Sequence, residues 1–174
     1  IHQGGTAGHA TFKWSSDNGS IVYPIVPIAT LVPGTGTTTV TLESLGRDDR
    51  SGLAQGDWVE IADGEEDLRD GSDPLLQVDK VDPDTLQVTL KGQPPAKIGQ
   101  PPSKALLLRR WDHRRSVSKT PPTAAGVFTV QEDSWLDLED GVQIFFAAGS
   151  AESNTPQAYR PGDYWLIPAR VATG

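Results

Sequence analysis

Residues 75–90 read LLQVDKVDPDTLQVTL, two short runs rich in valine, leucine and threonine around Asp82-Pro83-Asp84. Residues of these types are enriched in strands. Proline fixes the φ angle that the second position of a type I turn requires. The stretch therefore predicts a β-hairpin, with strands over residues 75–81 and 85–90.

The strongest hairpin signal lies nearer the N-terminus, in the sequence ATFKWSSDNGSIVYPI of residues 10–25. The runs Ala10–Ser15 and Ser20–Ile25 flank Asp17-Asn18-Gly19, and an Asn-Gly pair readily takes the positive φ angles of a type I′ turn. These two runs are predicted to pair with each other. Thr37–Leu42 is predicted to be a third strand, after a turn at residues 33–36.

Short apolar runs continue along the rest of the chain. Apolar residues do not recur every three or four positions for a dozen residues, which argues against a long amphipathic helix. The predicted fold class is therefore all-β, as a sandwich or barrel of short antiparallel strands. The remaining predicted strands are Gly56–Ile61, Ala105–Trp111, Gly126–Val130, Ser134–Leu138, Val142–Ala147 and Asp163–Ile167, with a turn at Glu139-Asp140-Gly141.

Prolines predict how the chain is divided. Residues 93–103 contain Pro94, Pro95, Pro101 and Pro102, which cannot supply the backbone donors of a central strand. This stretch is predicted to be a connector. Residues 45–92 are predicted to form a small inserted β subdomain, comparable to an SH3-like barrel, and residues 1–44 and 104–174 together form the main β domain.

Composition excludes several functional classes. The 174 residues carry a net charge of −8, which disfavours the basic surface of a nucleic-acid-binding protein. The chain has no cysteine, so disulfides and zinc–thiolate sites are excluded. No apolar run approaches the roughly 18 residues of a membrane-spanning helix. The absence of methionine and the start at Ile1 lead us to expect a piece of a longer protein.

Arg109, Arg110, Trp111 and His113 lie in the densest basic stretch of the chain. Arginine binds carboxylate or phosphate through two parallel hydrogen bonds, so these residues are candidates for binding an anionic group. In an acidic protein the arginines can equally pair with carboxylates of the same chain or of another subunit. This second interpretation is preferred.

Trp135 is the fifth candidate ligand-binding residue. Alternation along a strand places Asp137 and Glu139 on its face, with Leu136 and Leu138 pointing inward. The face is interpreted either as a platform for a sugar ring or as an ordinary solvent-exposed face. Carboxylates that could support cleavage of a glycosidic bond are Glu132, Asp133, Asp137, Glu139 and Asp140.

The five tryptophans, Trp14, Trp58, Trp111, Trp135 and Trp165, are mostly assigned to core packing, because the chain has no methionine and few phenylalanines. The acidic stretch Asp63–Asp73 is interpreted as a solvated loop, with a calcium site as the alternative. No catalytic residue, metal ion or cofactor is predicted.

Residues 10–20, residues 107–112 (LLRRWD) and residues 159–170 (YRPGDYWLIPAR), together with residues 138–142 (LEDGV), resemble a bacterial domain family of unknown function. Members of that family are long proteins encoded beside baseplate and tail components of phage-tail-like contractile injection systems. The resemblance implies a structural or attachment role in such a particle, assembled in the cytoplasm or extracellular. It implies other tail or baseplate-like proteins as partners, and homo-oligomerisation by analogy.

The expected function is thus a non-enzymatic structural or attachment module that acts by protein–protein binding. The first alternative is a carbohydrate-binding module in which Trp135 or Trp111 stacks on a surface glycan. The second alternative is a glycan-cleaving enzyme that uses the carboxylates near Trp135. Neither nucleic acid nor a membrane span is expected.

Overall fold

The computed structural model describes residues 1–26, 32–33, 36–47, 51–63, 73–94, 105–113, 121–149 and 157–166. This part of the chain contains short β-strands and a single 3₁₀ turn, Glu139–Gly141, so the all-β fold class is confirmed. None of its helices is long and apolar enough to cross a membrane. The strands are β1 (Thr11–Phe12), β2 (Val22–Pro24), β3 (Val32–Pro33), β4 (Thr37–Thr41), β5 (Trp58–Asp63), β6 (Leu76–Asp82), β7 (Gln87–Lys91), β8 (Leu106–Trp111), β9 (Phe128–Thr129), β10 (Trp135–Asp137) and β11 (Gln143–Phe145).

Seven of these strands form one antiparallel sheet in the order β2-β8-β5-β6-β7-β4-β3. A bridge between Ile25 and Leu42 brings the end of β2 to the end of β4, and the N–H of Val26 donates to the carbonyl of Thr41 over 2.8 Å. The pairing does not continue into a ladder. Within the described residues the sheet is therefore open, and it does not form the closed barrel that was one of the predicted architectures.

The hairpin predicted from residues 75–90 is confirmed as β6 and β7. The two strands are antiparallel, with Val81 opposite Val88 and Asp82 opposite Gln87. The Asp82 side chain accepts hydrogen bonds from the backbone N–H groups of Asp84 and Thr85, over 3.1 and 3.4 Å. This capping by an aspartate is a local interaction, which is why the sequence alone was sufficient to predict it.

The large sheet surrounds the first of two hydrophobic cores. Side chains alternate in burial along β8, where Leu106 and Leu108 are buried and Leu107 is half-buried. β4 and β7 bury alternate residues in the same way, as a sheet with one face on a core does, whereas β5 buries residues on both faces, from Val59 to Ala62. The first core consists of Tyr23, Ile25, Val40, Leu42, Val59, Ile61, Leu76, Val78, Val88, Leu90, Leu106 and Leu108.

The second core lies between two small sheets, the pair β1–β9 and the pair β10–β11. The rings of Phe12 and Phe128 stack with centroids 5.3 Å apart, and Phe146 lies 5.4 Å from Phe12. Such aromatic pairs add to the free energy gained by burial. The buried members of this core are Ala10, Phe12, Phe128, Val130, Leu136, Leu138, Phe146 and Tyr159.

The hairpin predicted for residues 10–25 is wrong, although its turn is present. Asn18 and Gly19 have φ angles of 55° and 66°, as a type I′ turn requires. However, β1 pairs with β9 and β2 pairs with β8. The reason is that the two runs belong to different cores, since Phe12 packs in the second core and Tyr23 in the first.

The strand predicted at Asp163–Ile167 is also wrong over its described part. Residues 163–166 contain no strand, and Tyr164, Trp165 and Leu166 are exposed. The turn before them is present, with the N–H of Asp163 donating to the carbonyl of Arg160 over 3.2 Å. Exposed side chains on successive residues do not have the one-sided burial that stabilises a strand on a core.

Strands from the predicted subdomain of residues 45–92 lie in the same sheet as strands from its flanks. β5 pairs with β8 along its whole length, and β7 pairs with β4. The division into a main domain and an inserted subdomain stays a prediction. Residues 95–104, most of the predicted connector, and residues 64–72, most of the acidic loop with its calcium alternative, lie outside the described residues.

Candidate functional site

A groove with a volume of about 520 Å³ opens between the second core and the exposed face of β8. We call the lining residues Lys13 to Ser16, Asn18, Arg109 and Trp111 the polar wall. The second-core residues of the lining, among them Leu138 and Phe146, form the apolar wall. The exposed residues 164–166 stand at its rim. The groove is thus amphipathic, and its size falls in the range of small-molecule sites, roughly 300–1,000 Å³.

The polar wall is fixed by hydrogen bonds from the chain that follows β1 to the end of β8. The backbone N–H and the hydroxyl of Ser16 both donate to one carboxylate oxygen of Asp112, over 2.8 and 3.0 Å. The hydroxyl oxygen of Ser15 accepts a hydrogen bond of 2.9 Å from the N–H of Gly19. These contacts hold the Asn18–Gly19 turn in place, so the wall has a defined shape.

Lys13, Glu60 and Trp111 form a charged network behind this wall. The Nζ atom of Lys13 lies 2.9 and 3.0 Å from the two carboxylate oxygens of Glu60. The indole N–H of Trp111 donates to the same carboxylate over 3.0 Å, and the ammonium lies 4.5 Å from the centre of the Trp111 ring. Both ionic side chains are almost fully buried. Their charges therefore offset each other next to the groove, and the Trp111 ring is held rigidly.

Trp14 lines the groove and carries an unused hydrogen-bond donor. Its indole Nε1 atom is buried and has no hydrogen-bond partner among the described residues. A buried donor without a partner costs about 1–3 kcal/mol.

His113 is fully buried, 0% exposed, and ties three parts of the chain together. Its Nε2 atom accepts a hydrogen bond of 2.7 Å from the backbone N–H of Trp14. Its Nδ1 atom bonds to the carbonyl of Gly126, and a carbonyl can only accept, so Nδ1 carries the proton. Burial lowers the pKa of His113 to about 4. The imidazole is therefore neutral at pH 7. His113 is not among the residues that line the groove, so it does not contact a ligand there.

The basic stretch is split by the alternation of β8. Arg109 and Trp111 point towards the groove, whereas Arg110 is buried on the opposite face. The Nη1 atom of Arg110 donates to the carbonyl of Gly52 over 2.6 Å, and Nη2 lies 3.8 Å from the Asp112 carboxylate. Of the five candidates, Arg109 and Trp111 line the groove, and the ring of His113 lies behind Trp111 with centroids 6.3 Å apart. A role in ligand binding stays a prediction for all of them.

Trp135 lies outside the groove, on a second and more open depression of about 600 Å³. Its side chain is 65% exposed. It stands opposite Phe145 in the β10–β11 pair, with ring centroids 5.1 Å apart. Trp165, which is 56% exposed, packs on the edge of Phe146 with centroids 5.9 Å apart and borders both depressions. We call Trp135, Phe145, Tyr164 and Trp165 the aromatic surface.

The carboxylates near Trp135 are held by other residues of the chain. Asp137 accepts a hydrogen bond of 2.6 Å from the Gln143 side chain. Glu132 accepts one of 2.9 Å from the hydroxyl of Tyr159. Leu136 and Leu138 are buried, so the alternation predicted for this strand is confirmed. The function of these carboxylates in glycan cleavage stays a prediction.

None of the five tryptophans is fully buried, although Trp14 packs against the second core as predicted. Trp135 and Trp165 are exposed, and Trp14, Trp58 and Trp111 are only half-buried. The indole N–H explains this position for Trp111, because it reaches the Glu60 carboxylate from the border of the core.

Sequence reasoning missed Lys13, Glu60 and Trp14 as parts of the site. One signal was present. Glu60 stands between Val59 and Ile61 in a strand with buried residues on both faces, and a carboxylate at such a position needs a cation or donors. The sequence did not indicate which cation it would be, because Lys13 is 47 residues away.

Comparison with known families matches residues 1–174 to one described as "Family of unknown function (DUF6519)". Comparison with curated proteins and with solved structures gives no match. The family match extends over all the segments on which the resemblance rests. The match shows that the chain belongs to this family, but the description of the family names no activity.

Proposed function

The chain belongs to the DUF6519 family, whose function is unknown, and we propose a function for it from its exposed residues and from the resemblance described above. The chain is a structural or attachment module of a phage-tail-like contractile injection particle, and it acts by protein–protein binding without catalysis. Its partners are other tail or baseplate-like proteins and further copies of the same chain. The particle assignment is supported by the resemblance of the segments at residues 10–20, 107–112 and 159–170.

The observation that carries the binding role is the aromatic surface. Trp135, Phe145, Tyr164 and Trp165 are all exposed to solvent. Large aromatic side chains are enriched in protein–protein interfaces, and tryptophan and tyrosine supply many of the residues that dominate binding free energy. Exposed apolar groups that lie near one another mark such interfaces more reliably than single exposed residues do.

The backbone beneath this surface makes it suitable for binding. Trp135 and Phe145 are held as a cross-strand pair, and the pair between them, Leu136 and Ile144, packs with the second core. Aromatic side chains have few rotatable bonds, so little conformational entropy is lost when a partner covers them. A partner would therefore meet a largely preformed surface.

The test is affinity purification of the tagged full-length protein from its native cells, followed by mass spectrometry. Enrichment of sheath, tube or baseplate proteins is expected for the wild type. The double variant Trp135→Ser/Phe145→Ser should lose these proteins. Val22→Ser is the matched control, since Val22 is an exposed apolar residue outside the aromatic surface, and it should retain them. Purification of the wild type without any particle protein would contradict the proposal.

A further inference from the structure

We infer that the groove between Trp14, Arg109 and Trp165 is a binding site for a neutral saccharide. The sugar would place its hydroxyl groups against the polar wall and the C–H face of a ring against the apolar wall and rim. This inference does not rest on the particle role proposed above, because the groove would serve equally in a chain that acts alone. The groove shares Tyr164 and Trp165 with the aromatic surface, whereas Trp135 and Phe145 lie only on the other depression.

The distribution of polar groups matches a sugar ring. A pyranose carries hydroxyl groups around its edge and presents C–H groups on its faces. In the groove, Ser15, Ser16, Asn18 and Arg109 lie on one wall, while apolar second-core residues line the other. Ligand sites typically combine such an apolar lining with a few polar groups that fix the orientation of the ligand.

The two serines are suited to hydroxyl groups in particular. The Ser15 oxygen accepts from Gly19, which leaves its proton to donate. Ser16 donates its proton to Asp112, which leaves oxygen lone pairs to accept. A sugar hydroxyl both donates and accepts.

The charge of the groove favours a neutral ligand. The ammonium of Lys13 is already paired with both oxygens of Glu60, and the chain as a whole carries a charge of −8. A polyanionic glycan would be repelled at long range by this net charge. A peptide that binds by strand addition needs an unpaired strand edge, whereas β8, which supplies Arg109 and Trp111, is paired on both sides.

Tyr164 and Trp165 stand at the rim, 76% and 56% exposed. Trp165 is oriented by its edge contact with Phe146, so a large part of its ring remains accessible. Stacking of a sugar on an aromatic ring of this kind supplies the apolar half of the interaction.

The test is isothermal titration of the full 174-residue chain with three neutral oligosaccharides, namely cellohexaose, maltohexaose and N-acetylchitohexaose. At least one should bind with a Kd of about 1 mM or tighter, which corresponds to roughly −4 kcal/mol. Tyr164→Ala/Trp165→Ala should weaken that binding about tenfold or more. Trp135→Ala is the matched control, an exposed tryptophan outside the groove, and should leave the Kd unchanged.

Several results would overturn the inference. They are the absence of heat with all three sugars, loss of binding in Trp135→Ala but not in the rim variant, and binding of polygalacturonate or a proline-rich peptide in place of the neutral sugars. The variants change exposed residues, so circular dichroism should show wild-type folding. If the chain binds none of the sugars, particle proteins should still co-purify with the tagged protein. The two proposals can therefore fail independently.

Discussion

The backbone N–H of Trp14 donates a hydrogen bond to Nε2 of His113 over 2.7 Å, across 99 positions of sequence. The same imidazole bonds through Nδ1 to the carbonyl of Gly126, and its ring meets the edge of Phe128 with centroids 5.0 Å apart. One neutral side chain therefore joins the end of β8, which belongs to the large sheet, to the second core. Both ring nitrogens are in use, so the link depends on the protonation state.

We predict that protonation of His113 destabilises the fold in acid. Burial holds the pKa of His113 at about 4 in the folded protein, against 6.5 for an ordinary histidine. Because the folded-state pKa is depressed, the contribution is present above pH 6.5 and is lost as the pH falls through 4. Its full size is on the order of 3 kcal/mol. Urea denaturation of the wild type and His113→Gln at pH 7, 5.5 and 4 measures it.

The variant is needed because carboxylates also titrate in this range. His113→Gln should be less stable than the wild type at pH 7, and the difference should shrink towards pH 4. A difference that stays constant over these pH values would contradict the prediction.

The buried pair of Lys13 and Glu60 should show strong coupling. Glu60→Gln leaves the Lys13 ammonium buried without its carboxylate, and breaking a buried ion pair in this way costs about 3–5 kcal/mol. Lys13→Met/Glu60→Gln should recover much of this loss, because the glutamine oxygen can still accept from the indole N–H of Trp111. The free energy of unfolding of the two single variants and the double variant gives the coupling energy. Additive losses would show that the pair is not coupled.

Gly126 and Gly141 provide a matched comparison of backbone strain and steric clash. Both have a φ angle of 77°, so alanine at either site should cost about 1–2 kcal/mol for its conformation. A Cβ at Gly126 would overlap the Trp58 ring, whereas one at Gly141 would have no atom within 4 Å. We expect Gly126→Ala to be destabilised by a further 1–3 kcal/mol, roughly the cost of overpacking. If chemical denaturation shows that both variants lose the same free energy of unfolding, the clash with Trp58 is excluded.

Tyr159 should make the protein sensitive to strong base. Its burial, its hydrogen bond to Glu132 and the charge of that carboxylate raise the pKa of Tyr159 to about 12. Since the folded-state pKa is raised, the contribution is present below pH 10 and is lost as the pH rises through 12.

Tyr159→Phe tests this by removing the hydroxyl. At pH 8 the variant should be less stable by roughly 1–3 kcal/mol, as for a hydrogen bond to a charged group. In thermal denaturation at pH 8, 10 and 11.5, the difference in stability between the variant and the wild type should decrease as the pH rises. Persistence of the full difference at pH 11.5 would count against the assigned hydrogen bond.

Local sequence was sufficient wherever one turn and its two flanks decide the structure. The β6–β7 hairpin follows from Asp82-Pro83-Asp84 and the apolar runs beside it, and the positive φ angles of Asn18 and Gly19 follow from their residue types. The strand in β8 was predicted by its apolar run. In the candidate site, Arg109 and Trp111 could be identified as candidates because the basic stretch is visible in the sequence.

The sequence by itself thus determined the all-β class, the turns at Asn18-Gly19 and Asp82-Pro83-Asp84, and the burial of Leu136 and Leu138, because these depend on neighbours a few residues apart. Tertiary structure alone decided that β1 joins β9 and β2 joins β8, that Lys13 pairs with Glu60, and which tryptophans remain exposed. These outcomes depend on contacts between residues far apart in the chain. Such contacts are selected by the joint packing of both cores, which local preferences do not encode.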